Sequence, residues 1–371
     1  MGVGSVVHVV GARPNFVKMA PVIAALEERG DVTQRIVHTG QHYDERMSAE
    51  VLLDLEFPEP DIFLGVGSGT HGQQTARTLE AFERVLLRRR PDLVCVGGDV
   101  NSTLGVALAT AKLGIPLAHV EAGLRSFDWT MPEEINRVLT DRLSEILFTH
   151  SPEAATNLAR EGIGADRVRF VGNTMIDSLR RFEARAEARE PWRTLKLDRG
   201  DYVLVTLHRP SNVDEGAQLG RVVAALVQLA HHTPVVFPIH PRTTERLRAQ
   251  GLLASLLAAD VECLEPVGYL DFLGLEIGAG AIVTDSGGVQ EEASALGVPC
   301  FTLRPNTERP VTITHGTNTL LGEEPAPIAK IRPRELEHRK ARIEGWDGRA
   351  GQRAADVIGA ALEAQREAAF A

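Results

Sequence analysis

Short apolar runs alternate with helical patterns along most of this chain, and that alternation limits the available folds more than any other feature. The apolar runs include VVHVV, DLVCVGG, YVLVTLH and AIVTDSGG, and helical patterns such as PVIAALEERG and TLGVALATAKLG lie between them. Alternation of this kind is typical of parallel sheets that are covered by helices on both faces. The pattern restarts after a charged stretch, so the two halves join within residues 174–200. The sequence therefore predicts an α/β protein with two parallel-sheet halves and a cleft between them.

The length of the chain agrees with two domains. At 371 residues the chain exceeds what one ordinary hydrophobic core supports. We assign residues 1–175 to the first domain and residues 176–352 to the second. The remaining residues, 353–371, continue an amphipathic helical pattern to the C-terminal end.

Composition narrows the partners and the location that we expect. The formal net charge of −10 argues against nucleic acid as a general partner. No apolar run approaches the roughly 18 residues of a membrane span, and no secretory leader pattern is present. We therefore expect a soluble, cytoplasmic protein without a membrane partner. The cysteines, Cys95, Cys263 and Cys300, lack CxxC spacing, which favours buried free thiols over disulfides or metal ligands.

Charged residues, histidines and glycines gather just after the predicted strands. Because ligands of open parallel sheets bind at the carboxyl ends of the strands, these positions are the candidates for function. We expect the following side chains to line the cleft: Arg13, Lys18, Asp99, Glu121, His208, His240 and Ser286. Two of them have a simpler interpretation as well, since Lys18 could be a surface residue of the first helix and His208 a structural histidine.

The segment AIVTDSGGVQEEASALGVP is the sharpest single motif. A strand ends at Asp285, and the turn Ser286–Gly288 leads directly into a helix. Free amides and the dipole at such a helix start suit a diphosphate, although a plain turn is the alternative. We place Glu291 and Glu292 in the first helical turn, where they either complement the dipole or bind the hydroxyls of a ribose. The spacing is not GxGxxG, which argues against a nicotinamide dinucleotide.

A helix is predicted to begin at Pro132, where proline fits the first turn. Glu133 and Arg137 are four residues apart and share one face of that helix. Taken alone, this spacing favours a solvated ion pair. The helix follows a long loop from Glu121, however, so its start could also reach the cleft.

Several longer motifs resemble those of the non-hydrolysing UDP-N-acetylglucosamine 2-epimerases. They run in family order from about residue 6 to residue 322: GARPNFVKMAP, GGDVNSTL, HVEAGLRS, MPEEINRVLTD, GNTMIDSL, TLHRPSNVDE, TDSGGVQEEASALGVP and NTERPVTITHGTNTLLG. The resemblance implies two Rossmann-like domains of the glycosyltransferase-B-like class, with the last helix packing back onto the first domain. It also implies reversible interconversion of UDP-N-acetylglucosamine and UDP-N-acetylmannosamine for cell-surface polysaccharides, without metal or added redox cofactor, usually in a homodimer.

The resemblance also implies roles for individual residues. The acid–base set is Asp99, Glu121 and Glu133, and Lys18 and His208 join it as catalytic residues. The residues implied to bind the substrate are Arg13, Arg137, Phe272, Ser286, Gly287, Gly288, Glu292 and Arg309. Those implied to line a second, regulatory site for UDP-N-acetylglucosamine are Gln41, His42, Gln74, Arg209 and His240. Many relatives continue the His208 strand as His-Arg-Arg-Glu-Asn, whereas Pro210 and Ser211 stand here, which predicts weak or absent activation.

Three other functions share this architecture. A hydrolysing relative would release N-acetylmannosamine and UDP, but such enzymes usually lack TERPVTITHGTN and start differently from ARPNFVKMAP. A glycosyltransferase would have no need of the carboxylates Asp99, Glu121 and Glu133. A nucleotide-sugar sensor would be free to lose those carboxylates, and this chain retains them.

Overall fold

The computed structural model of the chain describes residues 3–40 and 52–370. The chain forms two compact units: unit 1 comprises Met1–Arg181 and Glu344–Ala371, and unit 2 comprises Phe182–Ile343. Unit 2 is thus an uninterrupted segment inserted into unit 1. The boundaries predicted from the sequence, 175/176 and 352/353, lie near these two crossings.

Unit 1 is built on a parallel sheet with helices around it. Its strands are β1 (Gly4–Val10), β2 (Val32–His38), β3 (Ile62–Phe63), β4 (Leu93–Gly97), β5 (Leu117–Val120), β6 (Ile146–Thr149) and β7 (Val168–Phe170). Its helices are α1 (Arg13–Arg29), α2 (His71–Arg88), α3 (Asn101–Lys112), α4 (Pro132–Leu143), α5 (Pro152–Arg160) and α6 (Thr174–Arg189), the last of which continues into unit 2.

The described strands of unit 1 pair in parallel in the order β3-β2-β1-β4-β5-β6-β7. On one face of the sheet, Val9 and Val96 pack with Phe82 of α2 and Val106 of α3. The strand order reverses between β1 and β4, so the loops that follow these two strands leave the sheet toward opposite faces. Crevices of this kind are where parallel α/β sheets bind ligands.

Unit 2 repeats the same construction. Its strands are β8 (Val203–Thr206), β9 (Val235–Pro238), β10 (Glu262–Leu264), β11 (Ala281–Thr284), β12 (Cys300–Thr302) and β13 (Asn318–Leu320). Its helices are α7 (Pro191–Thr194), α8 (Pro210–Val213), α9 (Gly216–Ala230), α10 (Pro241–Ala249), α11 (Leu253–Ala258), α12 (Tyr269–Gly278), α13 (Gly287–Leu296) and α14 (Val311–Thr314).

The sheet of unit 2 has the order β10-β9-β8-β11-β12-β13 and is covered on both faces. Successive residues of β8 point to opposite sides: Val203 and Val205 pack with Leu226 of α9, whereas Leu204 packs with Leu275 of α12. A strand that is buried on both faces needs a nearly continuous apolar sequence. This requirement explains runs such as YVLVTL.

The last helix, α15 (Ala350–Phe370), belongs to unit 1. Its residues Ile358 and Leu362 are buried, and the Asp177 carboxylate accepts a hydrogen bond from the Gly351 amide at 2.7 Å. Because that amide lies in the first turn, Asp177 of α6 satisfies one of the free donors at the start of α15. Of the helices in the described part of the chain, none has the length and apolar character needed to cross a membrane.

The predicted fold class, two parallel-sheet α/β domains, is confirmed. The short edge strands β3 and β13 were not among the predicted runs. One thiol also differs from the prediction: Cys95 and Cys300 are buried, but Cys263 is only half-buried.

Candidate active site

The carboxyl ends of β1, β4 and β5 lie side by side in unit 1, and they bring together three of the predicted residues. Lys18 lies early in α1, Asp99 follows β4 and Glu121 follows β5. Lys18 Nζ forms an ion pair with Glu121 Oε2, and both side chains are buried. A buried ion pair at a ligand-binding edge is a candidate for chemistry, because charge withdrawn from water interacts strongly with a bound group.

Gly98 shapes the space beside this ion pair. Its φ is +69°, in the left-handed region, and a Cβ atom at this position would lie 3.1 Å from Lys18 Nζ and 3.6 Å from Glu121 Oε2. Glycine therefore meets both the backbone and the space requirement. Glu121 itself has a φ of +70°, which is unusual for a residue with a side chain.

Asn15 fixes the loop after β1 and was not predicted to have a role. Its amide donates to the Gly97 carbonyl at 2.7 Å, and its Oδ1 accepts from the Ala12 amide at 3.0 Å. The asparagine of ARPN thus ties the start of α1 to the end of β4. Its position, two residues after Arg13, was the only sequence signal for it.

Arg137 is buried on α4 and holds two carboxylates. Its guanidinium lies 2.5 Å from Asp99 Oδ2 and 2.5 Å from Glu134 Oε2. The solvated ion pair between Glu133 and Arg137 suggested by their spacing is therefore wrong, because the i,i+3 neighbour Glu134 takes that place. Glu133 is half-buried and forms no ion pair with another described residue.

Glu134 anchors the loop that leads into α4, and the sequence analysis missed it. Its carboxylate accepts hydrogen bonds from the Ser126 amide, the Ser126 hydroxyl and the Phe127 amide, each at 2.9 Å. A carboxylate that accepts several local donors and a buried guanidinium has a supporting role. Glu133 and Glu134 precede Arg137 by four and three residues, so spacing alone did not indicate which of them pairs with it.

In unit 2, Asp285 organises the loop after β8. Its buried carboxylate accepts hydrogen bonds from the amides of His208 (3.1 Å) and Arg209 (2.9 Å) and from Asn212 Nδ2 (3.1 Å). Oδ1 also lies 3.1 Å from His208 Nδ1, while the His208 ring is partly exposed. Burial alone would raise the pKa of Asp285, but the neighbouring His208 and these hydrogen bonds lower it below its ordinary value. The ionised Asp285 carboxylate therefore orients the His208 side chain, a role that was not predicted from the sequence.

The turn Ser286–Gly288 begins α13 as predicted, since Ser286 precedes the helix and Gly287 is its first residue. Glu291 and Glu292 were placed in the first turn, which is wrong: that turn holds no acidic residue, and both glutamates follow it and are buried. Glu291 and Glu292 therefore do not complement the helix dipole from the first turn. The Tyr269 hydroxyl lies 3.4 Å from Glu292 Oε1.

Arg309 lies directly against the first residue of α13. A Cβ atom on Gly287 would lie 2.3 Å from Arg309 Nη1. The guanidinium also contacts Glu291 at 3.1 Å and Glu308 at 3.1 Å, and Arg304 pairs with Glu308 at 2.7 Å. This buried group of arginines and glutamates keeps positive charge next to the helix start.

The remaining residues that were predicted to bind the substrate or a regulatory nucleotide sugar differ in burial and in contacts. Phe272 is partly buried and packs against the core of unit 2. Gln74 is buried and accepts a hydrogen bond from Asn101 Nδ2 at 2.7 Å. His240 lies with its ring 6.0 Å from that of His208, and Arg209 reaches Glu308 at 3.5 Å. The side chain of Arg13, and Gln41 and His42 as a whole, lie outside the described part of the structure.

Comparisons with known proteins place this site in context. The chain matches the family model described as UDP-N-acetylglucosamine 2-epimerase over residues 24–359. A UDP-N-acetylglucosamine 2-epimerase of Methanocaldococcus jannaschii is 43% identical over 362 residues, covering 94% of this chain and 97% of the relative. A UDP-2,3-diacetamido-2,3-dideoxy-D-glucuronate 2-epimerase of Pseudomonas aeruginosa is 43% identical over 320 residues, covering 85% and 88%.

A solved structure agrees with the sequence comparisons. The crystal structure of the M. jannaschii UDP-GlcNAc 2-epimerase in complex with UDP-GlcNAc and UDP matches with a TM-score of 0.88 and 42% identity, covering 95% of this chain and 99% of that one. Fold and neighbours together define a protein of two Rossmann-like units in the glycosyltransferase-B-like class. More narrowly, the chain belongs to the UDP-N-acetylglucosamine 2-epimerase family. The resemblance of the sequence motifs to UDP-N-acetylglucosamine 2-epimerases is thereby confirmed.

Proposed function

We propose that this protein is a non-hydrolysing UDP-N-acetylglucosamine 2-epimerase, which interconverts UDP-N-acetylglucosamine and UDP-N-acetylmannosamine. The observation that carries the proposal is the buried Lys18–Glu121 ion pair next to Asp99, at adjacent strand ends of unit 1. Carboxylates next to a fixed cation can transfer protons to and from a sugar carbon while charge develops nearby. Family membership supplies the nucleotide-sugar substrate class.

The proposed reaction is an anti elimination followed by re-addition. A carboxylate removes the C2 proton, the C2–H electron pair becomes part of a C1=C2 double bond, and the C1–O bond to the diphosphate breaks. UDP leaves with the electrons of that bond, and 2-acetamidoglucal remains. Protonation of C2 on the other face and attack of a UDP oxygen on C1 then give the epimer. No hydride moves, so the scheme needs no nicotinamide cofactor.

We assign the proton transfers to Asp99, Glu121 and Glu133, without distributing base and acid among them. Lys18 and His208 would offset the charge of the departing diphosphate, together with Arg13. In unit 2, the helix start at Ser286–Gly288 would bind the diphosphate, and Glu292 would bind the ribose. We assign Arg137 and Arg309 to the support of Asp99 and of the α13 helix start, since each is buried between two carboxylates.

The non-hydrolysing course rests on the sequence motifs. The motifs ARPNFVKMAP and TERPVTITHGTN resemble those of the non-hydrolysing group. The product would supply cell-surface polysaccharide synthesis, and we expect the enzyme to act as a homodimer in the cytoplasm.

The decisive experiment is turnover of UDP-N-acetylglucosamine by the purified protein in D2O, followed by NMR. We expect UDP-N-acetylmannosamine with deuterium at C2, and a slow leak of UDP and 2-acetamidoglucal. Free N-acetylmannosamine with stoichiometric UDP would show the hydrolysing reaction instead. Epimerisation with full retention of the C2 proton would exclude the elimination scheme.

A second substrate deserves a direct comparison. The P. aeruginosa relative, which is named for UDP-2,3-diacetamido-2,3-dideoxy-D-glucuronate, matches this chain at the same 43% identity as the M. jannaschii relative. The two sugars differ at C3 and C6, whereas the chemistry at C1 and C2 is shared. Competition of the two nucleotide sugars for one preparation gives the ratio of their kcat/KM values. A ratio in favour of the diacetamido uronate would replace the substrate in our proposal and leave the reaction class unchanged.

A further inference from the structure

The loop that carries Glu121 is fixed by a buried pair behind it. We infer that His119 and Asp141 form a positioning element, which holds the Glu121 turn and the Gly98 turn in the arrangement needed for proton transfer. The role in proton transfer rests on the proposed function. The fixing of the two turns rests on the geometry alone. Neither residue was singled out by the sequence motifs.

His119 connects two strand ends. It is the third residue of β5, and its ring is fully buried. Nε2 lies 2.9 Å from the Gly98 carbonyl, and Nδ1 lies 2.7 Å from Asp141 Oδ1. Both neighbouring groups present acceptor oxygens to the ring nitrogens. The Gly98 turn, which precedes Asp99, is therefore tied to the strand that delivers Glu121.

Asp141 binds the residues that follow Glu121 in the chain. Its Oδ2 accepts from the Gly123 amide at 3.0 Å and from Arg125 Nη1 at 2.7 Å. The carboxylate thus binds groups two residues before and two residues after Glu121. Burial would raise the pKa of Asp141, but His119 and Arg125 lower it below its ordinary value, so the group is an anion.

The backbone of Glu121 needs such support. Its φ of +70° is one that residues with side chains rarely adopt, and it persists only where the surroundings impose it. Of the four hydrogen bonds of His119 and Asp141, two attach to the backbone of Gly98 and Gly123, one joins the pair and one binds the Arg125 side chain. These are contacts that fix a turn.

The supporting side chains of helix α4 form one buried polar stripe along the helix. Glu134, Arg137 and Asp141 are spaced by three and four residues and therefore share a face. Glu134 holds the loop at Ser126, Arg137 holds Asp99, and Asp141 holds the Glu121 turn. One helix face thereby positions two of the three proposed acid–base carboxylates.

The first arm of the test compares Asp141→Asn with Glu161→Gln. Asparagine keeps one neutral oxygen and presents a donor in place of the other, so it cannot accept from both His119 and the Gly123–Arg125 side. Glu161 is the partly exposed second partner of Arg125 at 2.6 Å. We expect Asp141→Asn to lower kcat per folded molecule by about 10²-fold with little change in KM, the scale of a misplaced catalytic group. Glu161→Gln should keep the kcat of the parent. Equal kcat values for both variants would overturn the inference.

The second arm needs no activity. Amide hydrogen exchange over residues 119–127 should be faster in Asp141→Asn than in the parent and in Glu161→Gln, because the Gly123 amide loses its charged acceptor. If Asp141→Asn does not fold, His119→Gln replaces it in both arms of the test. The glutamine side chain keeps a donor for the Gly98 carbonyl and loses the contact with the Asp141 carboxylate. Unchanged exchange in a folded variant would refute the positioning role. A parent protein that turns over no nucleotide sugar would refute the proposed function, and the exchange result would still decide this inference.

Discussion

At the scale of single residues, two adjacent glutamates on α4 have opposite surroundings. Glu134 is buried and accepts hydrogen bonds from Ser126 and Phe127, whereas Glu133 is half-buried and free of ion pairs within the described structure. Position along the helix, not residue type, separates them. Mutating each glutamate in turn therefore distinguishes a proposed proton-transfer group from a supporting one.

The first prediction concerns this pair. Glu133→Gln should lower kcat by roughly 10²-fold, the scale of an acid–base group, with an unchanged melting temperature. Glu134→Gln should lower the free energy of unfolding by about 3 kcal/mol, because the buried Arg137 loses one of its two charged partners. Steady-state kinetics and thermal melts measure both effects. A large stability loss in Glu133→Gln with normal kcat would reverse the assignment.

The second prediction concerns the space beside Lys18. Gly98→Ala places a methyl group 3.1 Å from Lys18 Nζ, while Gly114→Ala meets nothing within 4 Å. Both glycines have positive φ values, +69° and +60°, so both variants bear a similar backbone cost of about 1 kcal/mol. We expect matched melting temperatures but a lower kcat in Gly98→Ala alone. If the two variants have the same kcat, the Lys18–Glu121 pair is not needed in its observed position.

At the scale of elements, the sequence predicted the strands and their functional ends well. Central strands such as β4 are apolar throughout, and the residues after them are the polar groups that line the sheet edge. The edge strands β3 and β13 escaped notice because they are two and three residues long, too short for a periodic pattern.

The site was predictable where a residue directly follows a strand, as Asp99 and Glu121 do. It was not predictable where the role depends on which side of a helix faces inward. Asp141 and Glu291 are of this kind, since Arg125 and Arg309, their partners, are distant in sequence. Local spacing indicated a Glu133–Arg137 pair, and tertiary packing selected Glu134 instead.

The third prediction concerns the attachment of α15. Burial raises the pKa of Asp177 to about 6, against opposing hydrogen bonds from the Gly351 and Ala350 amides. A raised pKa means that the folded state binds the proton more tightly than the unfolded state does. The stabilisation is therefore complete below about pH 4 and is lost as the pH rises through about 6, by roughly 3 kcal/mol.

Asp177→Asn should remove this dependence. Asparagine keeps an oxygen for the Gly351 amide and carries no charge, so the variant should be more stable than the parent at pH 8 and similar to it at pH 4. Asp356→Asn, on the exposed side of α15, is the matched control and should show no such difference. Thermal melts at the two pH values measure it. Identical pH profiles for parent and Asp177→Asn would show that Asp177 titrates normally.

At the scale of the whole molecule, the proposed diphosphate site predicts a ligand effect on stability. UDP alone should raise the melting temperature by mass action. Gly287→Ala should abolish the shift, because a Cβ atom would lie 2.3 Å from Arg309 Nη1, and that guanidinium is held by Glu291 and Glu308. Gly220→Ala on α9, which meets nothing within 4 Å, is the control. A parent protein that gives no shift with millimolar UDP would refute the site.

The fifth prediction, also for the whole molecule, is kinetic. Pro210 begins the short helix α8, and Ser211 follows it. The family resemblance implies a basic and an acidic residue at these two positions. We predict weak or absent activation by UDP-N-acetylglucosamine. The reverse reaction from pure UDP-N-acetylmannosamine should then start without delay. A long lag that a trace of UDP-N-acetylglucosamine removes would contradict this prediction.

The chain order of the two units has a consequence for how the protein is made. Helix α15 supplies buried residues to unit 1, yet the ribosome delivers it only after all of unit 2. Until α15 is synthesised, the apolar surface of unit 1 that this helix buries stays exposed, whereas all segments of unit 2 have already been synthesised. The final 21-residue helix is therefore the closing piece of the first unit. A tag or a premature stop at the C-terminal end acts on the half of the protein that carries Lys18, Asp99 and Glu121.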